Sequence, residues 1–505
     1  MSRRPYVPPR ATPVRPVAGK DDLASLFEVR PAVPTPAAAP AGRLRGALRG
    51  ATPLALAGLL SNVANLGVTL VIARAMSTRS YGATAQLFAL FMIVSMPGSA
   101  LLVGVVRRVT AWGRTGRTDL VAGWAARVRR VGLRAVVAVA VLGLLIREPL
   151  AHQLSLPGAG GVAETLTAGA AWCLLCVDRG LLQAAHRYRE LAANLLVDAA
   201  VKAAATVGLV LAGLGQTGAA AAVLLGVLAA LAHARRALGR GHPARLTGAA
   251  SATGAAATTT TTTAPATQPA VPATAAAAAA TATGAAAAGR ERRLAAELSS
   301  ALVALALLAL LQNIDILVQG RLSPGESGQY AAVSVTCKVL VFGAVVLAGF
   351  LLPEAADRRH LGEHALHQLG ATLAILALPS AVLLAAACAA PASLLSLAFG
   401  PRFTDAAGAV LPLAAAMTCL GATVLFTHYL LALGSRAVLV ALGLTAAAAT
   451  GLIALAGGSP VTTARTDLAV QAVLAAVTGL LVARAARRTM SAPGTGRAAT
   501  EVAPA

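Results

Sequence analysis

Long apolar runs alternate with short polar segments along most of the chain. A helix that crosses a bilayer needs about twenty mostly apolar residues, and twelve runs of about this length occur. Their predicted bounds are 53–73, 84–106, 131–147, 162–183, 192–213, 217–234, 297–319, 329–352, 368–390, 406–431, 436–457 and 466–484. The pattern predicts an all-α polytopic membrane protein with twelve transmembrane helices in two six-helix bundles.

A low-complexity segment separates the two sets of apolar runs. Residues 249–289 consist almost entirely of Ala, Thr, Gly and Pro and contain no Leu, Ile or Phe. Such a segment has too little large apolar surface to fold or to span a membrane, so we predict a disordered linker. The predicted organisation is a disordered basic, proline-rich tail at 1–50, a bundle at 51–236, the linker at 237–293, a second bundle at 294–488 and a disordered tail at 489–505.

Basic residues test this organisation independently. The chain has 42 Lys and Arg against 19 Asp and Glu, and 57% of its residues are hydrophobic. Cytoplasmic loops of membrane proteins carry an excess of Lys and Arg. With a cytoplasmic N-terminus, 34 of the 42 cations, Arg179 among them, fall on cytoplasmic segments and six on external ones. We therefore expect a plasma-membrane protein with both termini in the cytoplasm, and we attribute the net charge of +23 to membrane topology rather than to nucleic-acid binding.

The two predicted bundles share a motif. Residues 71–87 read "VIARAMSTRSYGATAQL" and residues 317–333 read "LVQGRLSPGESGQYAAV". Each is an apolar run, an Arg, a short polar turn and a second apolar run containing Tyr and Gly. Both motifs follow the first helix of a bundle, so the bundles are predicted to be parallel repeats, with a substrate site between them.

Several polar residues lie within the predicted helices, where they are costly unless they are paired or face a cavity. They are Asn62, Asn65, Asn194, Asp198, Lys202, Gln312, Asn313, Asp315 and Lys338. Asp198 and Lys202 are four residues apart on one helix face and can neutralise each other. Lys338 has no acid at this spacing, and Asp315 in the preceding helix is its candidate partner. Alternatively, the lysines offer positive charge to an anionic head group.

Catalytic chemistry is not predicted. The chain has no GxxxxGK[ST] phosphate-binding motif. His360–His364, "HLGEH", matches a zinc-peptidase spacing, but its short cytoplasmic loop leaves no room for a protease domain. We therefore predict no enzyme activity, no metal and no cofactor.

The repeat junctions resemble those of polysaccharide flippases of the multidrug/oligosaccharidyl-lipid/polysaccharide exporter superfamily. The similar stretches are Leu66–Phe91, Asp315–Leu340 and Phe350–Arg359. Within them the matching positions are Arg74, Tyr81, Gly82, Asp315, Gly328, Tyr330 and Pro353. The basic tail and the Thr/Ala linker depart from the family pattern.

This resemblance implies a flippase that moves a polyprenyl-diphosphate-linked oligosaccharide across the plasma membrane by alternating access. The expected substrate contacts are Lys202, Lys338, Arg74, Asn62 and Asn65, and the expected coupling or counter-charge residues are Asp315, Asp198 and Asn313. Expected partners are the lipid-linked sugar, membrane lipids and other glycan-assembly proteins. Two alternatives remain open, a cation-coupled exporter of small molecules and a membrane scaffold of a glycan-assembly complex.

Overall fold

The computed structural model describes residues 41–114, 117, 119–240, 299–360 and 366–490. Within these ranges every regular element is helical and no strand occurs. The described residues from Pro53 onward belong to one compact unit. Residues 1–40 and 491–505 of the predicted tails, most of the predicted linker and all of "HLGEH" after its first residue lie outside the described ranges. Residues 41–50, predicted to be part of a disordered tail, belong to the first helix instead.

The described part of the first half contains seven α-helices. They are α1 Ala41–Ala75, α2 Thr78–Ser95, α3 Pro97–Arg114, α4 Asp119–Gln153, α5 Val162–Ala184, α6 Tyr188–Leu209 and α7 Gly215–Arg240. Pro97 separates α2 from α3, which together form the second apolar crossing. A short π-helical segment, Val210–Leu214, joins α6 to α7. The chain reverses there because Gly213 and Gly215 have positive φ angles of 82° and 51°, which residues with side chains rarely adopt.

The second half follows the same plan. Its elements are α8 Ser299–Leu322, α9 Ser327–His360, α10 Leu366–Ala389, α11 Pro391–Phe399, a 3₁₀ helix Pro401–Ala409, α12 Val410–Ala432, α13 Ala437–Leu455 and α14 Pro460–Met490. The short α11 and the 3₁₀ helix lie between the ninth and tenth membrane crossings. The apolar pattern predicted neither as a separate element, because each has nine residues and is too short to cross a bilayer.

The described helices confirm twelve membrane crossings. Ten helical stretches are long and apolar enough to cross a membrane, and one of them, Tyr188–Gly239, contains two crossings because it turns back at Gly213. Helix α4 supplies the twelfth. Large apolar side chains point away from the protein along these helices, including Leu145, Leu378 and Leu455, which are 74%, 71% and 83% exposed. Exposed leucines at this density suit a surface that faces lipid. The protein is an all-α polytopic membrane protein of two six-helix bundles related as parallel repeats.

The two halves meet where the shared motifs lie. Ile72, Tyr81 and Ala85 of the first half pack in one apolar core with Leu311 and Tyr330 of the second half. Helices α2 and α9 cross there without side chains between them. A Cβ atom added to Gly82 would lie against the Ser327 hydroxyl and 2.6 Å from the backbone nitrogen of Gly328. This crossing therefore requires glycine at both repeat-related motifs, and we call it the junction.

Candidate functional site

Each half encloses one cluster of buried and half-buried polar side chains. The first-half cluster consists of Arg129, Asp178, Arg179, Asn194, Asp198, Lys202 and Arg235, carried by helices α4, α5, α6 and α7. The second-half cluster consists of Asn313, Asp315, Tyr330, Ser334, Lys338, Asp467 and Gln471, carried by α8, α9 and α14. No hydrogen bond or ion pair joins the two clusters within the described part of the chain.

Arg179 is the centre of the first-half cluster. Its guanidinium pairs with Asp198 at 3.2 Å and donates a 2.7 Å hydrogen bond to Asn194 Oδ1. Asn194 in turn donates to the Ala230 carbonyl at 2.7 Å, which ties α5, α6 and α7 together. The guanidinium also lies 4.8 Å from the centre of the Trp172 ring, a cation–π contact that favours a charge away from water. Asp198 is therefore neutralised from another helix.

This pairing differs from the one that the sequence predicts. The i,i+4 spacing predicts an Asp198–Lys202 pair, and the charge pattern assigns Arg179 to a cytoplasmic segment. In the structure Arg179 lies inside α5 and is 4% exposed. A fully pairable guanidinium from the neighbouring helix competes better for a buried carboxylate than a lysine that must bend along its own helix. The position of Arg179 next to Asp178, near the end of an apolar run, concealed its role.

Asp178 forms a second charged group in the first half. Its carboxylate is fully buried and pairs with Arg129 at 2.7 Å and with Arg235 at 3.6 Å. The two arginines come from α4 and α7, on either side of α5. Both are partly exposed, so one carboxylate serves two guanidinium groups that also reach the surface.

Lys202 completes the first-half cluster. It is half-buried on α6, one turn from Asp198, and packs beside Gly226 of α7. Among the described residues, no carboxylate oxygen lies within 4.0 Å of its ammonium group, because Asp198 bonds to Arg179 instead. The cluster holds four cations, Arg129, Arg179, Lys202 and Arg235, against two carboxylates. Its formal charge is positive.

Asp315 is the centre of the second-half cluster. It accepts hydrogen bonds from the Tyr330 hydroxyl at 3.0 Å and the Ser334 hydroxyl at 3.2 Å, both on α9. Lys338 approaches its other oxygen at 3.7 Å and donates to Asn313 Oδ1 at 3.3 Å. The predicted Lys338–Asp315 bridge is confirmed.

A second carboxylate, Asp467, lies in the same half on α14. Gln471 donates to Asp467 Oδ1 at 3.1 Å and to the Leu311 carbonyl at 3.3 Å. Asp467 Oδ2 and Gln471 Oε1 are buried without a hydrogen-bond partner among the described residues. Neither residue stands out in the sequence. Asp467 lies at the very start of the apolar run 466–484, where an acid is expected to face water, and Gln471 follows it one helical turn later. With one lysine and two acids, this cluster has more acids than cations, in contrast to the first half.

The remaining predicted site residues lie on α1. Asn62 is exposed and Asn65 is half-buried. Arg74 lies at the C-terminal end of α1, where its guanidinium donates to the Leu397 carbonyl of the second half at 2.9 Å. Arg74 is therefore part of the contact between the halves rather than of either buried cluster.

The described residues contain no group of three or more His, Cys, Asp or Glu side chains placed to hold a metal ion. The two clusters contain guanidinium, ammonium and carboxyl groups, which can bind charged ligands, and the carboxyl groups can also bind and release protons. Such charges within membrane helices normally mark substrate or ion pathways.

Comparison with known proteins identifies the fold. No protein-family model and no curated protein matches the chain. Solved structures do match. An inward-facing multidrug resistance MATE family transporter of the MOP superfamily is 13% identical, with a TM-score of 0.64, and the match covers 86% of this chain and 96% of that one. An outward-facing structure of a MATE family transporter, also 13% identical, gives a TM-score of 0.57 over 88% of this chain and 95% of that one.

A third structure comes from a MOP superfamily transporter of Pyrococcus furiosus, described as having a binding pocket of reverse polarity that suggests a different function. It is 13% identical and gives a TM-score of 0.57, over 88% of this chain and 96% of that one. These neighbours are transporters rather than enzymes. At such low identity they establish architecture alone, and the chain has the fold of MOP-superfamily transporters.

Proposed function

We propose that this protein is an exporter that moves its substrate across the plasma membrane by alternating access between its two halves, with both termini in the cytoplasm. The junction joins the halves at the end of the membrane that the charge pattern places outside. The TM-score is higher to an inward-facing transporter, 0.64, than to an outward-facing one, 0.57. This difference supports a conformation in which the outer end is closed by the junction. The present conformation would then be open towards the cytoplasm.

The proposed substrate is a polyprenyl-diphosphate-linked oligosaccharide. The positive first-half cluster carries this proposal, and in particular the ammonium group of Lys202, which has no carboxylate within 4.0 Å in the described residues. A diphosphate can supply the missing negative charge. Its lipid tail would remain in the bilayer, beside the exposed apolar side chains on the outer faces of the bundles.

Lys202 is the first candidate among the predicted substrate contacts. Lys338 and Arg74 already bond to Asp315 and Leu397, so they would have to exchange partners to bind a substrate. Asn62 and Asn65 offer uncharged hydrogen bonds to a sugar. Asp198 and Asp315 would act as counter-charges that hold Arg179 and Lys338 in place.

A cation-coupled exporter of small molecules is the second candidate. It is favoured by the second-half cluster, where Asp467 has a buried carboxylate oxygen without a hydrogen-bond partner among the described residues. In such a transporter the acids would dominate function and Lys202 would be dispensable.

Transport in proteoliposomes separates the two. The purified chain is reconstituted with a fluorescent polyprenyl-diphosphate oligosaccharide, and its arrival in the opposite leaflet is followed by quenching. We expect Lys202→Met to slow this translocation about tenfold, the value of one charge-assisted contact, while Lys202→Arg retains it. Full activity of Lys202→Met would contradict the diphosphate role. Export of fluorescent cationic drugs, without movement of the lipid-linked sugar, would favour the second candidate.

A further inference from the structure

The segment between the ninth and tenth membrane crossings, residues 391–409, reaches across the junction. It consists of α11 and the following 3₁₀ helix, joined at Gly400, whose φ angle of 106° allows the sharp turn. Its own half holds it in place. Phe403, Ala406 and Ala409 are buried, and Gln329 of α9 donates to Asp405 at 2.7 Å. We call this segment the strap.

The strap is bonded to the first half in both directions. Arg402 donates to the carbonyls of Arg74 at 2.5 Å and Ala73 at 3.4 Å. Arg74 donates in return to the Leu397 carbonyl. The last carbonyls of a helix have no partner within it and carry partial negative charge, so a guanidinium is well suited to the end of α1.

An aromatic contact accompanies these bonds. Tyr81 of α2 packs against Phe399 and Phe403 of the strap, with ring centres 6.2 Å and 5.6 Å apart. All three rings are almost completely buried. The Tyr81 hydroxyl has no hydrogen-bond partner among the described residues. A buried hydroxyl without a partner is costly, and it would regain water when the halves separate. The unpartnered hydroxyl therefore lowers the stability of the packed aromatic contact and favours its release.

The first half makes a weaker version of the same contact. In the shared motif Arg321 corresponds to Arg74, and α8 corresponds to α1. The first-half loop between the third and fourth crossings donates one hydrogen bond, from Ser155 Oγ to the Arg321 carbonyl, at 3.2 Å. Each half therefore caps the first helix of the other half, with an arginine and two rings on one side and a single serine on the other.

We propose that the strap is a releasable lock that holds the junction closed, so that its release sets how often the outer side opens. The inference rests on the proposed alternating-access function. Opening the junction requires the strap to break the Arg402 and Arg74 bonds and to separate Tyr81 from its two phenylalanines. The serine contact of the first half adds little resistance.

The lock is tested by measuring how far the junction opens. Spin labels are placed on the exposed positions Arg79→Cys and Glu326→Cys, which lie across the junction. The full chain is reconstituted in nanodiscs with its five native cysteines replaced by alanine. Double electron–electron resonance then measures the distances between the two labels and gives the ratio of the long-distance to the short-distance population.

The expected results are graded. Arg402→Ala should raise the long-distance ratio about tenfold, because two hydrogen bonds from a charged donor are lost. Arg402 makes both hydrogen bonds through its Nη2 atom. Arg402→Lys keeps the charge but shortens the reach of the donor, so its ratio should fall between those of the wild type and Arg402→Ala. Ser155→Ala should raise the ratio by no more than about threefold, since one neutral hydrogen bond is lost. Arg465→Ala removes an exposed arginine that bonds to no described residue and should change nothing.

A wedge variant separates the lock from the proposed function. Gly82→Leu cannot be accommodated beside Ser327 and Gly328, so it must open the junction if the halves can move apart. If Gly82→Leu gives no long-distance population, alternating access at this end is wrong. If Gly82→Leu opens the junction while Arg402→Ala matches Arg465→Ala, the strap is not a lock. Thermal unfolding of each variant checks that it is folded, and Arg402→Lys remains informative if Arg402→Ala is not.

Discussion

The two halves share one helical plan but differ in the balance of cations and acids around their buried carboxyl groups. In the first half, four cations surround Asp178 and Asp198, and three of them are arginines. In the second half, Lys338 is the single cation beside Asp315 and Asp467 among the described residues. The repeat therefore constrains where helices lie and how the junction is built, whereas the interior chemistry of each half has diverged. Four cations beside two acids in one half, and one cation beside two acids in the other, suit different ligands.

Asp198→Asn should have the largest effect on stability. The substitution leaves Arg179 buried with only an amide partner and places Lys202 near an uncompensated guanidinium. Removing one partner of a buried ion pair costs roughly 3–5 kcal/mol of unfolding free energy. Thermal and denaturant unfolding in detergent measure the loss. A cost no larger than that of a surface substitution would show that the first-half cluster is not held by this pair.

Asp315→Asn should cost less, about 2–3 kcal/mol, because Lys338 keeps its bond to Asn313. Tyr330 and Ser334 can still donate to the new amide oxygen. The same unfolding measurement applies, with Ser334→Ala as a matched control that removes one hydrogen bond. If Asp315→Asn exceeded Asp198→Asn, the second half would depend more on its ion pair than the first, and the comparison would be reversed.

Asp467→Asn should have the smallest effect, within about 1 kcal/mol of wild type and in the stabilising direction. The substitution removes a surplus buried carboxylate whose Oδ2 has no hydrogen-bond partner among the described residues, and replaces it with an uncharged group. Gln471→Leu serves as a control, because it removes the hydrogen bonds from Gln471 to Asp467 and to the Leu311 carbonyl. A large loss of stability would mean that Asp467, rather than Asp315, is the true partner of Lys338.

Much of the fold follows from the sequence alone. The thickness of a bilayer fixes the length of an apolar run, so helices such as α5 and α12 were predicted within a few residues. The Lys338–Asp315 bridge was also predictable, because two consecutive helices joined by a short turn must lie side by side. The parallel repeat was evident from Arg74 and Arg321, each followed by a short turn and then by a Tyr and a Gly close together.

The residues that were not predicted lie near one end of an apolar run, Arg179 near the C-terminal end of its run and Asp467 at the start of its run. Arg179 and Asp467 look like boundary residues in the sequence, yet both are buried by a neighbouring helix that the sequence does not place. The strap was missed for a related reason. Arg402 of the strap bonds to the carbonyls of Ala73 and Arg74, which are more than three hundred residues away. Backbone carbonyls leave no side-chain pattern in the sequence.

The sequence by itself determined the number of membrane crossings, their grouping into two repeats and the polar residues that must find partners. These properties depend on local hydrophobicity and on charge counted along one dimension. The tertiary structure decided which partner each charge has, since Asp198 binds Arg179 rather than its own helix neighbour Lys202. It also decided that Gly82, Gly328 and the strap lie together at one junction. Such pairings depend on the distances between helices, which residue spacing within a single helix does not encode.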